Sequence, residues 1–290
     1  MRRARPDVSE LHLALCACAA VAGLALGPSM RRRLASVLAA RHRATRPAFA
    51  RRVRTLIGAA FGPLPPARRR ALERRWAARW WDQSAQAMAF TLRNRLPTAG
   101  PLVGAEGLRA ALDSRGALLV VPHFGPYVLV PGLLAAHGFA PRIVGQKLPF
   151  PWADRLVLGG YRRRGWLLES EAGPAALARR VGLALDARTL ILASVDQAPA
   201  GHDNRARVPF LAGSIHVATG IFQLARARGA PVFAIALDAR SDPLAGVVVP
   251  LDTTSVLDTA RHAALVLAGQ VARDPAGWNW SLPQLDAPLG

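Results

Sequence analysis

The sequence predicts an α/β fold: a layered αβα domain around a central, mostly parallel or mixed sheet, preceded by a helical amino-terminal region. Two observations carry that class. After Pro97–Gly100, short β-rich runs alternate with alanine-rich helical stretches, as expected of strands linked through helices. Before it, from Arg31 to about Leu96, apolar residues recur at helical spacing and arginines fill the gaps. The texture therefore divides the chain at residues 1–30, 31–98 and 99–290.

The opening "MRRARPDVSELHLALCACAAVAGLALGPSMRRR" sets a mostly apolar stretch, Leu11 to Met30, between arginines. Its length is near the minimum for a membrane span, and His12, Gly23 and Gly27 weaken it. A cleaved signal peptide lacks a good small-residue site at "LALG", and a lipoprotein cysteine at Cys18 sits too early in the apolar run. An uncleaved anchor, with Arg31–Arg33 at the cytoplasmic headgroups, is the expectation. It makes the amino-terminal region membrane-associated, at the cytoplasmic face. A buried helix of a soluble protein is the alternative.

In the basic region, Leu34, Val37 and Leu38, then Val53, Leu56 and Ile57, fall at helical spacing. "PLPPARRRALERRWAARWWDQSAQAMAF" starts at prolines suited to a first turn and sets Leu72, Trp76, Trp80 and Met88 along one side. A helix of arginine and tryptophan suits a membrane interface. The same pattern also describes a solvated basic face backed by a core-packed tryptophan stripe.

The layered part follows in order. "GALLVVP" is a buried strand, "VLVPGLLAAHG" a helix ending at Gly138, and "PRIVGQK" a strand. "AALARRVGLALDA" is a helix, "TLILASVDQ" a strand and "HVATGIFQLARARGA" a helix. "PVFAIALDA" and "AGVVVP" are strands, and "TSVLDTARHAALVLAGQVARDP" is a closing helix. In such sheets the chemistry sits at strand ends.

Composition narrows the function. With 290 residues, 51% of them hydrophobic, the chain has enough apolar material for a full core. The net charge of +20 is almost all arginine, Lys147 being the one lysine, and it asks for an anionic neighbour. Cys16 and Cys18 form neither a disulfide framework nor a zinc spacing. His202, Asp203 and His216 have no recognised metal-ligand spacing, so neither metal nor cofactor is expected. "AGSIH" around Ser214 is not the strained elbow of a serine hydrolase. Arg68–Arg70 with Trp76 and Trp80 lack any accompanying nucleic-acid motif, so nucleic acid is not an expected partner.

The residue that draws attention is His123, where "VVPHFGPYVLVPG" leaves a buried strand. A histidine there is placed as a base, and bases of this kind are oriented by a carboxylate. Taken in order, "HFG" at His123–Gly125, Asp196–Gln197, "VPFLAG" at Val208–Gly213, "ATG" at Ala218–Gly220 and "LARARGAPV" at Leu224–Val232 resemble the lysophospholipid acyltransferase superfamily. The resemblance is to its bacterial lipid A late-acyltransferase-like branch. "VGAEGLRAAL" and "LIGAAFGPLPPARRRAL" resemble that branch's lead-in segments, so the likeness runs over nearly the whole chain.

The resemblance implies transfer of a fatty acyl chain from a thioester, on acyl carrier protein or another carrier, to a hydroxyl or amine of a lipid or glycolipid. It implies His123 as the base. Phe124, Gly125, Tyr127, Gln197 and Phe210 would line the substrate, and Arg162, Arg163 and Arg164 would grip an anion. The family's acid, four residues beyond the histidine and one more, maps to Val128, and its preceding Asn-Trp pair to Pro126–Tyr127. Either His123 acts weakly alone, or a carboxylate arrives from elsewhere; Asp196, at the end of another strand, is the first candidate, before Glu169 and Glu171. Two other classes stay open: a catalytically degenerate relative that binds acyl chains or a partner enzyme, and a basic nucleic-acid-binding protein.

Overall fold

In a computed structural model the chain is described at residue 18, 27–92, 98–145, 154–155, 158–169, 173–196, 198, 204–238, 240–241, 243–280 and 285–286. The stretch expected to be an anchor therefore lies outside the described residues, apart from an exposed Cys18 and residues 27–30. Among the described residues no helix is long and apolar enough to cross a membrane.

Among the described residues, three helices follow residue 27: α1 (Pro28–Thr45), α2 (Pro47–Phe61) and α3 (Pro66–Leu92). Each begins at a proline, whose fixed φ and missing N–H suit a first helical turn. Arg31, expected at lipid headgroups, pairs with Asp82 of α3 at 2.6 Å. The tryptophan stripe packs inward. Leu72, Trp76, Trp81 and Met88 are each at most 5% exposed, while Trp80 is only half-buried. Trp80 stacks on Trp76 at 5.7 Å and meets Phe49 and His42, filling the space between the three helices.

The layered part contains β1 (Ala99–Val103), α4 (Ala105–Ser114), β2 (Ala117–Val120), α5 (Val130–Ala136), β3 (Pro141–Val144), α6 (Gly159–Arg163) and β4 (Leu167–Leu168). It continues with α7 (Pro174–Asp186), β5 (Leu190–Ala193), β6 (Arg205–Phe210), β7 (Gly213–Ala218), α8 (Gly220–Ala227), β8 (Val232–Asp238), β9 (Leu244–Pro250), α9 (Val256–Arg273) and β10 (Leu285–Asp286). Among the described residues, the main sheet runs β1-β9-β8-β2-β5-β3-β4 and is parallel throughout except at β8–β9. β2 and β5 are buried at every position, as continuous apolar strands covered on both faces must be.

Two elements differ from the sequence expectation. "GALLVVP" is not the first strand: β1 precedes it at the sheet edge, where residues expected to be a boundary turn pair with β9. "HVATGIFQLARARGA" is not one helix either. His216–Ala218 finish β7, which pairs antiparallel with β6 in a second small sheet, and the helix starts only at Gly220.

The helices and the sheet share one continuous core. Val53 and Ile57 of α2 belong to the same buried cluster as Leu118 and Leu119 of β2 and Trp280 beyond α9. Ala212, in the β6–β7 turn, donates its N–H to Ala60 at 2.9 Å, and Phe61 packs on Trp280. Arg79 of α3 pairs with Asp274. Ile57→Ala, at a side chain 1% exposed, is therefore expected to cost about 2–5 kcal/mol. Urea unfolding should show the helical and sheet signals shifting together in one transition. A separate early transition for the helical region would show that α1–α3 form an independent unit.

Candidate active site

β2 and β5 are adjacent and parallel, with Val120 opposite Ala193 at their carboxyl ends. From β2 the chain continues to β3, beyond β5; from β5 it passes through the β6–β7 hairpin to β8, on the far side of β2. Ligands of open α/β sheets bind outside the strand ends where the connections reverse in this way. The two ends are tied together just beyond the strands. Val121 donates its N–H to Ala193 at 2.9 Å, and the Ser194 hydroxyl donates to the Val121 carbonyl at 2.6 Å.

His123 and Asp196 leave these two ends and meet. His123 Nδ1 lies 2.8 Å from Asp196 Oδ1, and the His123 backbone N–H donates to Oδ2 at 3.0 Å. Trp278 Nε1 donates to the same Oδ2 at 3.0 Å. The carboxylate is 3% exposed and receives three donors from two separate segments. Burial alone would raise its pKa. The His123 charge and the hydrogen bonds from the ring, the indole and the backbone overcome that and hold it below the ordinary carboxylate value. Asp196 is thus an ionised, acceptor-only group, which requires the proton of a neutral His123 ring to sit on Nδ1. Nε2 is left with its lone pair, on a side chain that keeps 15% of its surface exposed.

The last described turn of the chain completes the site. After α9, residues Pro275–Gly277 form a single 3₁₀ turn. Gly125 donates to the Gly277 carbonyl at 2.8 Å, Asn279 donates to the His123 carbonyl at 3.0 Å, and Phe124 bridges Trp278. Gly277 has no room for a side chain, because a Cβ there would stand 2.6 Å from the Phe124 ring. Gly125, at φ 59°, makes the turn that carries the chain from His123 into Tyr127–Leu129.

Several other expected site residues take supporting positions. Phe124 and Phe210 are both 1% exposed; Phe124 packs on Gly277, and Phe210 lies against Trp278 at 4.9 Å. Tyr127 meets the His123 ring edge-on at 4.7 Å. Burial, and then the Asp196 charge, push its phenol up to about 12, so it stays neutral. Gln197 lies outside the described residues. Val128, where the acid was sought, is half-buried in the 3₁₀ turn, and its carbonyl accepts from the Tyr161 hydroxyl at 2.5 Å.

The arginine run does not present an open anion grip at Arg162. That guanidinium is clamped by Glu169, through Nε at 2.7 Å and a second N–H at 2.8 Å, and by Asp154 at 2.7 Å. Hydrogen bonds to these two carboxylates hold its proton more tightly than usual. Arg163 donates to the Thr91 carbonyl, and Arg164 lies over the Phe90 and Trp166 rings. Arg163 and Arg164 brace α6 against the end of α3, and Arg162 ties it to the residue that follows β4. Glu169 is therefore occupied by Arg162, and Glu171 lies outside the described residues.

Trp278 was not anticipated. Its signal was the pair of tryptophans in "GWNW", which lies past the last predicted helix where no element claimed it. Beneath the dyad, Val120, Val195, Ile215, Ala234 and Leu267 enclose an apolar cavity of about 10 Å³, with Asp196 as its polar edge. Among the described residues no group of three or more His, Cys, Asp or Glu is placed to hold a metal. No family model matches the chain, and no curated protein does either.

Trp278→Phe keeps an aromatic ring but removes one donor from Asp196. At neutral pH it is expected to cost about 1.5–3 kcal/mol, the worth of a hydrogen bond to a charged group. Because the folded pKa of Asp196 is depressed, this contribution is present above the unfolded value, near 3.9, and fades as pH falls through the folded one. Chemical denaturation from pH 7 downward should show the gap between the two proteins narrowing in acid. A gap independent of pH would mean that Trp278 acts by packing alone.

Proposed function

We propose that the protein is an acyltransferase that moves a fatty acyl chain from a thioester donor, such as acyl carrier protein, to a hydroxyl or amine of a lipid or glycolipid. The observation that carries this reading is the buried, ionised Asp196 held against Nδ1 of a partly exposed His123, at adjacent strand ends. In it, His123 Nε2 takes the proton from the acceptor as its oxygen or nitrogen attacks the thioester carbonyl. The tetrahedral intermediate collapses with loss of the thiolate, which receives that proton from the imidazolium. Asp196 stabilises the imidazolium and keeps Nδ1 as the protonated nitrogen throughout. Trp278, through Asp196, and Tyr127, edge-on to the ring, hold the base in place.

The order of motifs from His123–Gly125 to Leu224–Val232 supports the choice of acyl transfer over other uses of a histidine–aspartate pair. The net charge of +20 suits a membrane surface and an acidic carrier, so the proposed place is the cytoplasmic face of the inner membrane. Val128, where the resemblance implies an acid, favours a second reading: a degenerate relative that binds acyl chains without turnover. Asp196 removes the chemical need for an acid at that position, because Nδ1 has one hydrogen and it is already accepted.

Purified protein, acyl carrier protein loaded with chains of several lengths, and a membrane extract provide the assay, read by mass analysis of the lipids. His123→Ala is expected to abolish transfer in a variant that still folds, with a melt lowered because Asp196 loses a donor, and Asp196→Asn to lower transfer by about 10⁴, as for the aspartate of a serine-protease triad. Val128→Glu is expected not to raise it. Transfer that survives His123→Ala in a folded variant would overturn the catalytic role, and no transfer by the wild type with any donor would favour the degenerate reading.

A further inference from the structure

A second cleft, of about 290 Å³, opens between α1, α2 and α3 and includes no residue of the His123–Asp196 site. Arg43, Arg54, Arg70, Arg74 and Glu73 line it, and the rest of its wall is small alanines and a proline. Four guanidinium groups against one carboxylate leave a surplus of three positive charges in a concave site.

The carboxylate does not cancel the site; it shapes it. The Glu73 side chain is 4% exposed, with Oε1 3.2 Å from Arg43 Nε and Oε2 3.4 Å from an Arg54 terminal nitrogen. It thereby draws two long side chains, each about a third exposed, together at the cleft. A guanidinium has five N–H donors, and a single carboxylate contact leaves most of them available. Arg70 and Arg74 stand one turn apart on α3, where like charges repel. Both are exposed, and among the described residues neither has a hydrogen-bond or ion-pair partner.

We propose that this cleft binds a phosphate group. Paired, planar N–H forks match phosphate oxygens two at a time, and a phosphate monoester's charge answers the surplus better than a carboxylate's. Arg43 and Arg54 supply the side paired with Glu73, Arg70 and Arg74 the exposed side. The phosphate belongs either to a soluble compound or to a lipid headgroup at a membrane surface, and the contacts are the same. The site is separate from the proposed acyl transfer, and binding is read without turnover, so either claim can fail alone.

The full-length protein is titrated with inorganic phosphate by calorimetry, and separately with phosphatidylcholine vesicles with and without phosphatidic acid. Saturable binding is expected to at least one probe, and Arg70→Ala with Arg74→Ala should weaken it by about tenfold or more. The matched pair Arg179→Ala with Arg226→Ala removes the same charge from exposed positions on α7 and α8 and should change it by less than about twofold. Binding of free phosphate assigns a soluble ligand, and binding only of vesicles containing phosphatidic acid assigns a lipid headgroup; both support the site. An equal loss in the two double variants, both shown folded by their melts, would overturn it. So would the absence of saturable binding to either probe.

Discussion

The structure turns on one buried negative charge. An ionised carboxylate taken out of water is severely unfavourable unless donors replace the water it has lost. Asp196 receives them from the His123 ring, the His123 backbone and the Trp278 indole. No one of these segments can move away without leaving the charge under-solvated. The end of β2, the end of β5 and the tail after α9 are therefore bound to a common position.

This explains the tightly fitted surroundings. Gly277 must be bare because Phe124 occupies the place of its side chain, and Phe124 must be there because the tail pairs with it at Trp278. Phe210 from the hairpin closes the other side of the indole. The aromatic shell raises the strength of every charge interaction inside it by excluding water, including the pull of Asp196 on the His123 ring. Val128 can be apolar because the carboxylate reaches His123 from the neighbouring strand.

Much of this was readable in the residues, and the failures have physical causes. The central strands were clear because burial on both faces leaves continuous apolar runs. His123 and Asp196 stood out as polar residues at the exits of such runs. The β6–β7 hairpin was hidden because its two-residue turn, Leu211–Ala212, carries none of the usual turn residues. Leu211 adopts φ 54° there without glycine's freedom. The arginines at 162–164 read as an anion-gripping run. The carboxylates that claim Arg162 lie eight residues before and seven after it, across turns that no helical spacing reveals. The tail offered no periodicity, so only its two tryptophans hinted at burial.

The joining of the first helices to the final turn has a consequence for synthesis. Phe61 rests on Trp280, Arg79 pairs with Asp274, and Trp278 solvates a charge at the centre of the sheet. A chain emerging from the ribosome exposes Phe61 and leaves Arg79 unpaired long before Trp280 and Asp274 exist. Contacts so distant in sequence form slowly, and the exposed intermediates are prone to associate with one another. Until Trp278 and Trp280 have been made, the surfaces they cover stay open to such association.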